Sequence, residues 1–312
     1  MHLKHGRYFY TPRIDGKVKW VPLSRDYAEA LSKWAELEGT LDRVGTTVGE
    51  ALDRYLIQVL PSKSEATQRE YRKYSSRIRA VFGDTALSQV RPTHIAQYLD
   101  RHHAPVMANR EITMLSSIYQ QAMRWGWVDK NPCRGVTRNT EKPRRRHITD
   151  AEIAQLRDSL NEQLRCIVDL ALFTALRKKD VLAIRLSDLR DDGLYVEISK
   201  TGRRLIFEWT PALRNVVSQA RALRRRVGSL YLFATRRGQP YTTSGFDSIW
   251  QRVIKRSGLE DFRFHDLRAR ALTDAKRQGG RDYAQALADH QSGETTERYI
   301  RGREIQKVRP LR

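Results

Sequence analysis

Between Thr46 and Thr137, apolar residues recur at every third and fourth position through four segments, TVGEALDRYLIQVL, SEATQREYRKYSSRIRAVFG, RPTHIAQYLDRH and NREITMLSSIYQQAMRWGWV. Residues at that spacing share one face of a helix, so each segment must bury a stripe against a neighbour. Pro61, Gly83, Pro92 and Pro105 fall at the breaks, where they stop one helix and allow the next to start. The spacing predicts four helices packed as a bundle.

The chain is longer than that bundle needs. Its 312 residues exceed the roughly 250 to 300 at which a single core stops growing. After the bundle, Thr149-Asp150 followed by Glu152 is a helix-capping pattern, and RCIVDLALFTALRKKDVLAIRLSDL reads as one buried helix. GLYVEISK alternates apolar and polar side chains, Thr201-Gly202 turns the chain and RRLIFEWTP returns, which predicts a β-hairpin with Lys200 at its tip. Residues 211–226 and SGFDSIWQRVIKRSG read as further helices. At the other end, RYFYTPRIDGKVKWVPL holds two strand-like runs about Asp15-Gly16, a hairpin signal, followed by the helical DYAEALSKWAELEG. The expected order is a small module over residues 1–42, a helical domain over 43–138, the basic linker NTEKPRRRH over 139–147 and a mixed domain over 148–312. The fold class is mainly α with small β-hairpins, a multi-domain α+β chain.

Charge narrows the partner. Lys and Arg number 58 against 36 Asp and Glu, a formal charge of +22, which calls for a polyanion and, by default, nucleic acid. No run of about 18 apolar residues and no signal peptide is present, so a protein that stays in the cytoplasm, off the membrane, is expected. Cys133 and Cys166 stand far apart without metal-ligand spacing and read as core thiols. No phosphate loop, carboxylate cluster or nucleotide fingerprint is found, so neither metal nor cofactor is expected. Arg69, Arg72, Lys73, Arg77 and Arg79 line the polar face of one helix; they read as a solvated row or as phosphate contacts, and the net charge favours contacts. Arg144, Arg145 and Arg146 in the linker suit either a tether or a strap along a DNA backbone. The first 42 residues are either a docking extension or a DNA-binding module; Arg7, Arg13, Lys17 and Lys19 beside Tyr8, Phe9, Tyr10 and Trp20 favour the module.

Chemistry concentrates in HDLRARALTDAKRQGGRDYAQALADHQSGETTERYIR, residues 265–301. His265 and Arg268 share a helical turn, and His290 and Tyr299 follow. A guanidinium offers a planar fork to two phosphoryl oxygens, and an imidazole can donate or shuttle a proton. Phenol, with a pKa near ~10, is a weak nucleophile that needs such neighbours to stabilise charge on the phosphorus it attacks. Tyr283 in the same stretch is the competing tyrosine.

This stretch resembles the C-terminal half of the tyrosine recombinases, the phage integrase family, in His265-Asp266-Leu267-Arg268, Ala288-Asp289-His290 and Tyr299. Thr174-Ala175-Leu176-Arg177 with Asp180 and Leu182 resembles the family's first catalytic box, and LSQVRPTHI with Asn131-Pro132 resembles its helical, SAM-like core-binding domain. The family commonly has glycine where Ala175 and Asp289 stand. The resemblance implies a site made of Arg177, Lys200, His265, Arg268, His290 and Tyr299 with Asp180 in support, and an arm-type DNA-binding module at the N-terminus. Lys200 matches a hairpin lysine of the family; Arg203 and Arg204 are alternatives for its role and candidate DNA contacts. It further implies a C-shaped clamp on double-stranded DNA with specific core sites, a homotetramer on DNA with the tail EIQKVRPLR packed on a neighbour, accessory DNA-bending proteins, and work at the nucleoid in a bacterial host cytoplasm. The expected activity is cleavage and rejoining of DNA through a 3′-phosphotyrosine, integrating and excising a phage or mobile element. A DNA-binding regulator that keeps the fold without chemistry, and a nicking-closing enzyme of topoisomerase type, are the other readings.

Overall fold

The computed structural model describes residues 1–14, 17–38, 47–142, 144, 146–223, 228–289, 293, 294 and 296. They belong to two compact units, residues 1–142 and 143–312.

The first unit opens with β1 (His2–Lys4), β2 (Arg7–Tyr10), β3 (Arg13–Ile14), β4 (Lys17–Val18) and β5 (Val21–Pro22), followed by α1 (Tyr27–Glu38). The antiparallel sheet runs β1-β2-β5, and β3 pairs separately with β4. The sequence predicted only two strands here. The additional hairpin turns at His5 and Gly6, whose φ angles of 48° and 71° place both central residues in the left-handed region that two-residue hairpins require. Ile14 pairs with Lys17 about the expected Asp15-Gly16 turn, which itself lies outside the described residues.

Four helices follow as the spacing predicts: α2 (Val48–Gln58), α3 (Glu65–Phe82), α4 (Pro92–Arg101) and α5 (Pro105–Arg124). Thr47 and Glu50 form a reciprocal capping box on α2, Ser64 caps α3, and Pro92 and Pro105 occupy first-turn positions where a missing N–H costs nothing. Leu52, Ile78, Ile95, Ile112, Leu115 and Ile118 fill the bundle core. Each such side chain stabilises the fold by about 1.5–3 kcal/mol relative to leaving it in water. Glu111, buried in α5, accepts from Tyr98 Oη at 2.6 Å and from Arg77 at 3.1 Å, which is how a carboxylate can sit inside. Cys133 and Cys166 are buried free thiols, and burial pushes Cys133 up to about 12.

The second unit contains α6 (Asp150–Asp158), α7 (Glu162–Thr174), α8 (Lys178–Ala183), β6 (Gly193–Glu197), β7 (Arg204–Glu208), α9 (Pro211–Ala222), α10 (Thr243–Ser257) and α11 (Phe264–Ala288). Thr149 and Glu152 cap α6 reciprocally. The single buried helix predicted over residues 165–189 is in fact α7 and α8, because Ala175 takes φ 51°, ψ 19° and ends the first. Alanine gives no turn signal, so the break is silent in the sequence. α11 is likewise interrupted at Gly280, φ 80°, ψ −173°. Phe246, Trp250, Phe262 and Phe264 pack edge and face, with Trp250 5.0 Å from Phe264, and this cluster seats the start of α11. Among the described residues no helix is long and apolar enough to cross a membrane.

Candidate active site

Arg177 emerges where α7 breaks. It is half-buried as the residue that caps α8, and its Nη1 is enclosed without a hydrogen-bond partner among the described residues. His265, one residue into α11, lines with Arg177 a cleft of about 780 Å³, together with Lys178, Lys179, Lys255 and Arg263. Five cations and a histidine line this opening beside Asp247, which pairs with Lys178, and Asp261, which pairs with Arg144, and the excess of cations suits a polyanion.

Arg268, one turn further along α11, is 2% exposed. Its Nη1 donates to the Ala175 carbonyl and its Nη2 to the Ala288 carbonyl at 2.7 Å. Those carbonyls sit at the C-terminal ends of α7 and α11, where backbone dipoles leave partial negative charge, and this compensates a buried guanidinium. The left-handed turn at Ala175 thus aims one carbonyl at Arg268 and releases Arg177 into the cleft two residues later.

Asp180, 3% exposed in α8, accepts from the Ser199 backbone N–H at 3.0 Å through Oδ1, while Oδ2 is enclosed without a partner among the described residues. Ser199 precedes Lys200, which is exposed on the tip of the β6–β7 hairpin. The tip is closed by Ile198 N–H on the Arg203 carbonyl and Gly202 N–H on the Ile198 carbonyl, both at 2.8 Å, with Gly202 at φ 71°. Of the two arginines that compete with Lys200, Arg203 lies 2.8 Å from Asp289, and Arg204, 3.7 Å from Glu197, is highly exposed. Lys200 has no hydrogen-bond or ion-pair partner among the described residues. Thr201 donates to Asp289 Oδ2 at 3.2 Å, and Asp289 adjoins the Ala288 carbonyl that Arg268 holds. Hydrogen bonds therefore link Asp180 and Asp289 to the hairpin tip, and Arg268 to the carbonyls of Ala175 and of Ala288, the residue before Asp289. His290 and Tyr299 lie outside the described residues, as do Arg145, Arg224–Arg226 and the tail from Glu304.

The linker arginines differ from expectation. Arg144 donates to both oxygens of Asp261 at 2.6 and 2.7 Å and to Asp266 at 2.7 and 2.9 Å, while Arg146 is held by Glu152 and the His147 carbonyl. Arg144 holds the exposed Asp261 carboxyl below the usual range by hydrogen bonding. Carboxylates inside the same unit hold both side chains, and the sequence hid the partners of Arg144 because Asp261 and Asp266 lie 117 and 122 positions away. In the first unit Arg72 and Lys73 are exposed, whereas Arg77 and Arg79 are drawn to Glu111 and Asp53.

The family model for the phage integrase family matches residues 146–304, half of the chain. The integrase of Escherichia phage HK022 is 27% identical over 97% of this chain and 93% of its own length. A shufflon-specific DNA recombinase of Escherichia coli is 28% identical over 85% of this chain and 71% of its own. The fold is similar to that of lambda integrase, solved as a dimer bound to a COC′ core site, with a TM-score of 0.71 over 99% of both chains at 24% identity. The chain belongs to the phage integrase family of tyrosine recombinases, enzymes that cleave and rejoin DNA in site-specific recombination.

Proposed function

We propose that Tyr299 is the nucleophile of this recombinase and that Arg177, Arg268, His265 and His290 stabilise the phosphorus it attacks. The phenolic oxygen bonds to phosphorus as the bond to the 5′ oxygen breaks, leaving a 3′-phosphotyrosine. The phenol gives up one proton and the departing oxygen receives one from Lys200, so the exchange balances. Ester energy is retained in the intermediate, and religation by the reverse path draws on no external energy source. The observation that carries this reading is that Arg177 and His265 line one basic cleft, with Arg268 buried one helical turn beyond His265 on the same helix. A guanidinium and an imidazole in one cleft present several N–H donors to the oxygens of a phosphodiester.

On the same reading, which the resemblance to the family implies, residues 43–138 serve as the core-binding domain, residues 148–312 as the catalytic domain and residues 1–42 as an arm-site module. Exchange between two duplexes requires four active protomers, so a homotetramer on DNA follows, acting in a bacterial cytoplasm with DNA-bending accessory proteins. The test is a nicked suicide substrate that traps the covalent intermediate. Tyr299→Phe should bind DNA normally and form no protease-sensitive adduct. Adduct formation by Tyr299→Phe, or its loss in Tyr283→Phe instead, would assign the nucleophile elsewhere.

A further inference from the structure

Asp289 stands where the family commonly has glycine, and it closes α11 with φ 52°, ψ 44°, a conformation glycine adopts more readily. Its side chain is only 1% exposed. A carboxylate so enclosed needs compensation, and its side-chain partners come from a different element, the β6–β7 hairpin. Thr201 Oγ1 donates to Oδ2 at 3.2 Å, and Arg203 Nη1 lies 2.8 Å from Oδ1, close as an ion pair although not aligned as a hydrogen bond. Thr201 and Arg203 both belong to the tip that carries Lys200. From the other side Asp180 holds the Ser199 N–H. Two buried acids thus grip the residues flanking Lys200, and neither binds Lys200 itself.

We propose that Asp289 is a positioning residue for the proton-transfer step: by holding Thr201 and Arg203 it fixes the hairpin tip so that the Lys200 ammonium stands at the leaving 5′ oxygen. This rests on the reading of Lys200 as the acid. Asp289 exchanges no proton; the proton that reaches the 5′ oxygen as the phosphorus–oxygen bond breaks comes from Lys200. The same ion pair occupies Arg203, which removes the neighbouring cation from competition for that oxygen. A long lysine on a loose turn would sample many positions, and displacement by about 1 Å costs up to roughly 10²-fold in rate.

The test compares two DNA substrates, one with an ordinary phosphodiester and one whose leaving 5′ oxygen is replaced by sulfur, which departs without a proton. Asp289→Gly keeps the left-handed turn and deletes both the hydrogen bond from Thr201 and the ion pair with Arg203. It should bind DNA as the wild type does, cleave the phosphodiester about 10- to 100-fold more slowly, and cleave the sulfur substrate at close to the wild-type rate. Asp289→Asn, which retains a partner for Thr201 but loses the ion pair, should fall between. A role confined to folding would slow both substrates alike, and that result, or wild-type rates on both, would overturn the proposal. Lys200→Ala run in parallel separates the two layers. If sulfur does not rescue Lys200→Ala, the acid is elsewhere, and the hold on the hairpin is then decided by amide hydrogen exchange of residues 198–203. Faster exchange in Asp289→Gly sustains the hold; unchanged exchange removes it.

Discussion

Arg268 cannot shed its charge at any pH a folded chain meets, so its burial has to be compensated by geometry, and the carbonyls of Ala175 and Ala288 supply it. Arg268→Ala strands both carbonyls and removes a positive charge from the site. It should lower stability by about 3–5 kcal/mol and slow cleavage by a further factor equivalent to about 3 kcal/mol, read from urea midpoints and single-turnover cleavage of the folded fraction. A folded Arg268→Ala variant that cleaves at the normal rate would refute this. Arg268→Lys should recover little, since an ammonium lacks the fork that spans two carbonyls. Ala175 tests the turn itself: a left-handed L-residue costs about 1–2 kcal/mol, partly offset by the extra unfolded-state freedom of glycine, so Ala175→Gly should stabilise by up to about 1 kcal/mol without loss of cleavage. At this scale order and spacing singled out Arg177, Asp180, His265 and Arg268, which the fold places about the break between α7 and α8 and along the first turns of α11. It was silent on Asp289 and Asp266, whose roles depend on partners brought near only by the fold.

Helices α2 to α5 could be read from periodicity because each buries one stripe, and the β6–β7 hairpin because Thr201-Gly202 interrupts alternating runs. The hairpin at His5 and Gly6 and the break at Ala175 escaped because neither carries a residue pair that announces positive φ. The basic elements sort the same way. Arg144 ties the segment before α6 to the first turn of α11 through Asp266, whose side chain is 1% exposed, whereas Lys73 on α3 is 70% exposed beside Glu70. Arg144→Ala should therefore lower the unfolding free energy by about 3–5 kcal/mol while the salt dependence of DNA binding keeps its slope. Arg72→Ala with Lys73→Ala should do the reverse, leaving stability within about 0.5 kcal/mol and reducing the slope of log K against log salt by about 0.9 for each phosphate that is no longer neutralised. Identical salt slopes for that double variant and the wild type would show that this face is merely solvated.

Across the whole chain the basic connector is shorter than the composition suggested. Asn109 exchanges hydrogen bonds with Asn139 at 2.8 and 3.0 Å, and Arg110 binds Glu141 at 2.9 Å, so residues 139–141 belong to the bundle unit. Arg144 and Arg146 belong to the second unit. The polar composition of NTEKPRRRH looked like a tether because its partners lie far off in sequence. Leu23, Ala30 and Leu31 of the N-terminal segment are buried, and Tyr8 stacks edge-on with Tyr27 at 5.4 Å. A chain lacking residues 1–42 should fold and cleave an isolated core site at the full rate, yet recombine poorly on DNA carrying accessory sites; failure to fold would make the segment a docking extension. The cleft that Arg177 shares with His265 carries a consequence for the molecule as a whole. DNA held in that cleft binds the folded chain and not the unfolded one, so the target adds to the thermodynamic stability of the native state. The population of folded recombinase then depends on how much target DNA surrounds it, and chains without a site are the ones nearest to unfolding and turnover.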